Sequence, residues 1–172
     1  SSHKRIFIVG DSNMKSLAFN LKDKVIEKDF SFNTFIADAC IYFPGFNLID
    51  KKTNKINRNC NQNYFSKIDE SLKKQKNSII IFGGRFQLYL TNNYYNNREG
   101  GIEGQEWDLN YISTGLFETI QSSFKNSVNE LSKKNKIILI YPIPEAGWDV
   151  PTKLFNKLPK NADDLKEYLV PK

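Results

Sequence analysis

Histidine is almost missing from this chain of 172 residues: His3 is the single one, and the cysteines are limited to Cys40 and Cys60. Two cysteines with no histidine beside them do not make a zinc site, and neither lies in a Cys-x-x-Cys redox motif. No metal and no cofactor is therefore expected. No apolar run approaches the roughly 18 to 20 residues that cross a bilayer. A secretory signal is lacking as well, since the first apolar stretch is the short run at residues 6–9. Serine rather than methionine stands at position 1, with a strand pattern a few residues later. This suggests a piece excised from a longer polypeptide, with any export or anchoring information outside it.

Acidic residues are outnumbered, 19 Asp and Glu against 25 Lys and Arg, for a formal charge of +6. The lysines are dispersed, as at Lys22, Lys24 and Lys28, or gathered at expected helix ends, as at Lys73, Lys74, Lys76 and Lys133, Lys134, Lys136. The helix dipole accounts for the second group. An abundance of Asn, Lys and Ile together resembles a compositional bias, so no nucleic-acid partner is expected, while attraction to anionic surface glycans stays open. The balance of 40% hydrophobic and 26% charged residues suits one soluble domain with an ordinary core.

What the chain does have is an alternation of strand and helix patterns. Residues 5–10 read as a buried strand, since Ile6-Phe7-Ile8-Val9 is apolar throughout and rich in β-branched side chains. A helix over about 13–28 follows, with Met14, Leu17, Ala18, Leu21 and Val25 on one face. A second strand is predicted at 31–37, a polar Asn- and Lys-rich loop to about 61, and a helical stripe of Tyr64, Phe65, Ile68 and Leu72. A strand at 78–82, a helix carrying Leu116, Phe117, Ile120, Phe124, Val128 and Leu131, and a strand at 137–141 complete the pattern. Such alternation predicts an α/β fold, a parallel sheet with helices on both faces. Residues 86–113 break the rhythm: Tyr89, Tyr94, Tyr95 and Trp107 occur there with Gly100, Gly101 and Gly104. Two readings stand for this long loop, aromatic faces that stack on a sugar or a surface excursion with its own cluster.

The first strand ends in Gly10-Asp11-Ser12-Asn13. Gly10 offers the loose backbone that a tight strand-to-helix turn requires, and Ser12 falls at the carboxyl end of a parallel strand, where open α/β sheets bind ligands. Ser12 is either a nucleophile near the positive end of a helix dipole or, with Asp11, a plain helix cap. The motif resembles the opening block of the SGNH, or GDSL, hydrolase superfamily. Two further segments strengthen the likeness: Ile79-Ile80-Ile81-Phe82-Gly83-Gly84-Arg85-Phe86 and Tyr141-Pro142-Ile143-Pro144-Glu145-Ala146-Gly147-Trp148-Asp149-Val150-Pro151. The second is similar to a Pro-x-Pro-Glu-x-Gly-Trp-x-Val-Pro signature of the SGNH domain at the C-terminus of bacterial type-3 membrane O-acyltransferases. The likeness spans roughly residues 4–151 and rests on motifs.

That resemblance implies a three-layer α/β/α domain with a flavodoxin-like sheet over residues 1–172, on the periplasmic face of the inner membrane. Ser12 would accept an acyl group, acetyl foremost, from a membrane acyltransferase domain. It would pass the group to a hydroxyl of a surface polysaccharide, lipopolysaccharide or peptidoglycan. A free-standing esterase and a non-catalytic glycan-binding module are the alternatives. Contact with the membrane would come only through segments outside this chain. The family's base and its carboxylate come from an Asp-x-x-His block, which does not occur in these residues. His3 begins the first strand while Ser12 follows its end, about 20 Å away at ~3.3 Å per residue, so the resemblance places the base after Lys172.

The family's oxyanion donors would be a glycine and an asparagine besides the serine N–H. Here Gly83-Gly84-Arg85 carries no asparagine, and the backbone near Asp38, Ala39 and Cys40 stands for the second block, with no glycine before Gly45. Arg85 is either an oxyanion or substrate contact or an ion-pair partner of Asp11 or Glu145. Asn13, Glu145, Trp148 and Trp107 are the expected substrate contacts, against a structural role for the Pro142-to-Glu145 exit from its strand. The family often carries a cysteine pair in this region, which implies a Cys40–Cys60 disulfide, against two unrelated thiols. Closing about twenty residues, it would contribute on the order of 3 kcal/mol in an oxidising compartment.

Overall fold

The computed structural model describes residues 4–90 and 109–141. In chain order its elements are β1 (Arg5–Gly10), α1 (Met14–Ile26), β2 (Ser31–Ile36), β3 (Phe46–Asp50), β4 (Lys55–Ile56), α2 (Gln62–Lys73), β5 (Ile79–Gly83), α3 (Phe86–Leu90), β6 (Leu109–Ser113), α4 (Ile120–Ser132) and β7 (Lys136–Leu139). Four strands make a parallel sheet in the order β2-β1-β5-β7. Counted among themselves, the parallel strands run 2-1-3-4, the flavodoxin-like order that the resemblance implies. The chain leaves β1 to one side and returns on the other, so the crevice between β1 and β5 is the switch point of the sheet.

The two central strands, β1 and β5, are buried on both faces because they alternate two apolar sets, while the edge strands β2 and β7 stay largely open to solvent. Ile6, Ile8 and Ile81 point to one side and pack with Met14, Ala18 and Val25 of α1. Phe7, Val9, Ile80 and Phe82 point to the other, where Phe65, Ile68 and Leu72 of α2 and Leu131 of α4 cover them. A period of two in the strands thus meets a period near 3.6 in the helices, and three layers result. Helix α2 starts where the Asn61 side chain accepts the Tyr64 N–H at 3.1 Å. Helix α4 starts at a reciprocal capping box between Thr119 and Ser122. The stripe predicted from Leu116 therefore begins four residues later, and Leu116 itself is exposed.

The stretch predicted as a polar loop, 38–61, has a core half: residues 40–46, 48 and 49 are buried, while 51–56 are exposed as predicted. Ile41, Tyr42, Phe43, Phe46 and Leu48 are buried, and β3 pairs antiparallel with β4 on one side and β6 on the other. Asn and Lys at the turns dilute the apolar signal there, and the alternation Phe46-Asn47-Leu48 is short. The partner strand β6 lies more than sixty residues on, with Phe46 opposite Ser113. Tyr89, read above as part of a loop that stacks on a sugar or forms its own surface cluster, is instead buried edge-on against Tyr111 at 5.3 Å between ring centroids. Residues 94–107, with Tyr94, Tyr95, Trp107 and the three glycines, lie outside the described residues.

Candidate active site

Three chain segments meet at the carboxyl edge of the parallel sheet: residues 10–13 after β1, 37–41 after β2 and 83–85 after β5. They come together because β1 sits between the other two, with Gly10 opposite Ile36 and Gly83. A glycine is needed at position 10, though not for the conformational freedom expected of it. A Cβ there would fall 2.0 Å from the Gly83 carbonyl oxygen, so close approach of backbone decides the residue. Gly83 in turn leaves room for Met14, whose sulfur would lie 2.3 Å from an added Cβ. Gly84 adopts φ +136°, a conformation that side-chain-bearing residues rarely take, and an added Cβ would come within 2.5 Å of Ile41 and 2.9 Å of the Asp11 carboxyl carbon.

Asp11 is 2% exposed and its carboxylate is fully engaged by backbone. Oδ1 accepts the Asn13 N–H at 2.9 Å and Oδ2 accepts the Arg85 N–H at 2.8 Å. The first bond closes the turn that leads into α1; the second ties that turn to the end of β5. Asp11 thereby joins the two segments, and this hydrogen bond is made by the Arg85 main chain. The Asp11 and Ser12 carbonyls accept the Met14 and Lys15 N–H groups, each at 3.0 Å, so the first turn of the helix winds directly from the motif. Asn13 makes no side-chain cap. Ser12 and Asn13 are exposed, held out at the edge by a buried neighbour on each side, Asp11 and Met14. Among the described residues the Ser12 hydroxyl has no hydrogen-bond partner.

The loop after β2 is clamped from below by two tyrosines. Tyr111 is buried, and its hydroxyl donates to the Ile41 carbonyl and accepts the Ile41 N–H, each at 2.9 Å. Burial pushes its phenol well above the usual tyrosine range, with Tyr89 and Asp11 adding to the effect. The Tyr89 hydroxyl donates to the Ala39 carbonyl at 2.9 Å. Ala39 is thereby held at φ 52°, the left-handed region, a strain of about 1–2 kcal/mol for a residue with a Cβ. This is the glycine-like backbone that the second block lacks by sequence. Sequence reasoning took Tyr89 for a loop aromatic and passed over Tyr111, whose only signal was an aromatic interrupted by polar neighbours. The Cys40 N–H is taken by the Ala37 carbonyl at 3.3 Å and the Arg85 N–H by Asp11, so neither faces the crevice as a free donor. Among the described residues the amides of Ser12, Asp38 and Ala39 have no partner.

Cys40 and Cys60 are joined in a disulfide, both buried, with Cα atoms 5.5 Å apart. The bond ties the loop after β2 to the segment before α2. Among the described residues no cluster of His, Cys, Asp and Glu fits a metal ion, and no helix is long and apolar enough to cross a membrane. Trp107, Glu145 and Trp148 lie outside the described residues, as does His3.

Comparison with curated proteins gave no match, and comparison with solved structures gave none. The sheet order and the serine set out at its switch point nevertheless agree with a family model that spans the chain. It is described as SGNH domain (fused to AT3 domains) and matches residues 1–171, so the chain belongs to that family.

Proposed function

We propose that this domain carries an acyl group on Ser12 and transfers it to a hydroxyl of a cell-surface glycan. The observation that carries the reading is the placement of Ser12, exposed at the β1–β5 switch point and held there by the buried, doubly bonded Asp11. A nucleophilic hydroxyl attacks the acyl carbonyl, its proton passes to a base, and the tetrahedral oxyanion needs donors within about 3 Å; collapse then breaks the bond to the donor's leaving group, which departs with that proton and leaves the acyl-serine. The amides of Ser12 and Ala39 are the donors we assign to it, with Tyr89 and Tyr111 fixing the second. Fusion to AT3 domains supports delivery of the acyl group by a membrane acyltransferase domain, and with it a location on the periplasmic face. The buried disulfide supports the same oxidising compartment. Attack on the acyl-serine by a sugar hydroxyl gives transfer and attack by water gives hydrolysis; the fusion favours transfer.

The test is labelling with a fluorophosphonate serine probe, followed by peptide mass spectrometry, on this chain, on the full-length protein and on its Ser12→Ala variant. Label on the Ser12 peptide of the full-length protein, lost in the variant, is the expected result. An unlabelled full-length protein would count against serine catalysis and favour a glycan-binding role.

A further inference from the structure

A polar groove of about 810 Å³ opens beside the candidate nucleophile, lined by Lys15, residues 36–38 at the end of β2, residues 57–59, and Asn61, Asn63, Tyr64 and Lys67 at the start of α2. Of its lining residues, Lys15 bonds the Ser12 carbonyl through its N–H at 3.0 Å, and Ala37 bonds the Gly10 carbonyl, two residues before the serine, at 3.2 Å. Its two walls are covalently joined, because the disulfide links Cys40, just after residues 36–38, to Cys60, just after residues 57–59. The second wall is fixed again from behind, where Leu48 bonds Cys60 and Asn57 on either side.

The groove is cationic once its internal pairs are counted. Asp38 is its one acid and pairs with Lys15 at 2.6 Å. Arg58 and Lys67 remain, exposed and with no ion-pair partner among the described residues. Asn61 and Asn57 are spent on the wall and the helix cap. The carboxamides of Asn59 and Asn63, each both donor and acceptor, have no such duty, and Tyr64, half-buried, is the one aromatic among the lining residues.

We propose that this groove binds an anionic saccharide, a glycan bearing carboxylate or phosphate groups, as the acceptor that Ser12 acylates. Two unpaired cations recognise the charge, carboxamides match ring hydroxyls, and an aromatic face suits the apolar side of a sugar ring. This rests on the reading of Ser12 as the acyl carrier, and the two are separable by experiment.

Binding to the chain would be followed by ¹⁵N–¹H NMR titration with trigalacturonate, glucose 6-phosphate, neutral maltotriose and a ten-residue oligothymidylate. The expected result is binding of one or both charged sugars at least ten-fold tighter than maltotriose, with shifts centred on residues 57–59 and 63–67. The preferred one of the two tells whether carboxylate or phosphate is read. Arg58→Gln/Lys67→Gln should reduce affinity at least ten-fold; both side chains are exposed, and Lys67→Glu alone provides a second probe if the pair perturbs folding. Equal binding of maltotriose, equal or tighter binding of oligothymidylate, shifts elsewhere, or undiminished binding by both variants would each overturn the proposal. Loss of sugar binding with probe labelling of Ser12 intact sinks only the groove; sugar binding without labelling sinks only the acyl-serine.

Discussion

Replacing Asp11 by asparagine tests whether the aspartate of the motif works as a scaffold. Its two oxygens receive two different backbone donors, Asn13 N–H at 2.9 Å and Arg85 N–H at 2.8 Å, at a site only 2% exposed. A carboxamide has the same shape but one acceptor oxygen, so its NH₂ group must face one of the two N–H donors. Leaving that donor buried and unpaired costs about 1–3 kcal/mol, and weakening the other bond from charge-assisted to neutral adds about 1 kcal/mol. The middle of the sum is about 3 kcal/mol. In a domain of this size 1 kcal/mol lowers the melting temperature by roughly 2–4 °C, so a fall of about 9 °C is expected by calorimetry. Asp38→Asn is the control: its pair with Lys15 is exposed on both sides, and such pairs contribute about 0–1 kcal/mol. The amide resonances of Asn13 and Arg85 should move in the Asp11 variant and stay in the control. A melting temperature within about 2 °C of the parent, with both amides unshifted, would refute the scaffold argument.

Three further outcomes are expected. Gly84→Ala, which forces a Cβ against Ile41 and the Asp11 carboxylate at φ +136°, should lower stability by about 2–4 kcal/mol in urea unfolding and reduce probe labelling of Ser12 in the full-length protein; a labelled, fully stable variant would contradict the packing. Cys40→Ser/Cys60→Ser frees a loop closed over a sequence separation of 20 and should cost about 3 kcal/mol by the chain-entropy estimate, read as a lower urea midpoint that dithiothreitol reproduces in the parent. Tyr42, buried and donating to Asp69, and Tyr111 both have phenols pushed above the ordinary value of 10.0, chiefly by burial. A raised folded-state value means that their stabilisation is complete below about pH 10 and is lost as pH rises beyond it, by about 1.4 kcal/mol per pH unit for each phenol. Absorbance at 295 nm should show these two tyrosines ionising only together with unfolding, and ionisation within the folded protein would contradict it.

Much of the parallel sheet was legible because each strand announces itself locally. The run Ile6-Phe7-Ile8-Val9 carries both faces of β1 in four residues, and Ile79 to Phe82 does the same for β5. The position of Ser12 at the carboxyl edge of the sheet followed from its place after such a strand. The antiparallel sheet was not legible, since β3 mixes Asn47 and Asp50 with Phe46 and Leu48, and its partner β6 is distant in sequence. Tyr89 looked like a loop aromatic and is a core residue, because what buries it is Tyr111, twenty-two residues further on. The polar groove was invisible for the same reason: Lys15, Asp38, Arg58 and Lys67 are unremarkable surface charges until the fold sets them around one space.

The sequence by itself determined the strand–helix order, the apolar faces and the position of Ser12 at the end of the first strand. These follow from periodicity and turn chemistry, which act over a few residues. Only the tertiary structure decided that Asp11 would bind the Arg85 main chain 74 residues away, and that Tyr111 would clamp Ile41 70 residues away. It also decided that Gly10 and Gly83 must lack side chains. Those are choices among many chemically equivalent partners, and burial makes them: a polar group withdrawn from water must find a partner in whichever segment the packing brings beside it.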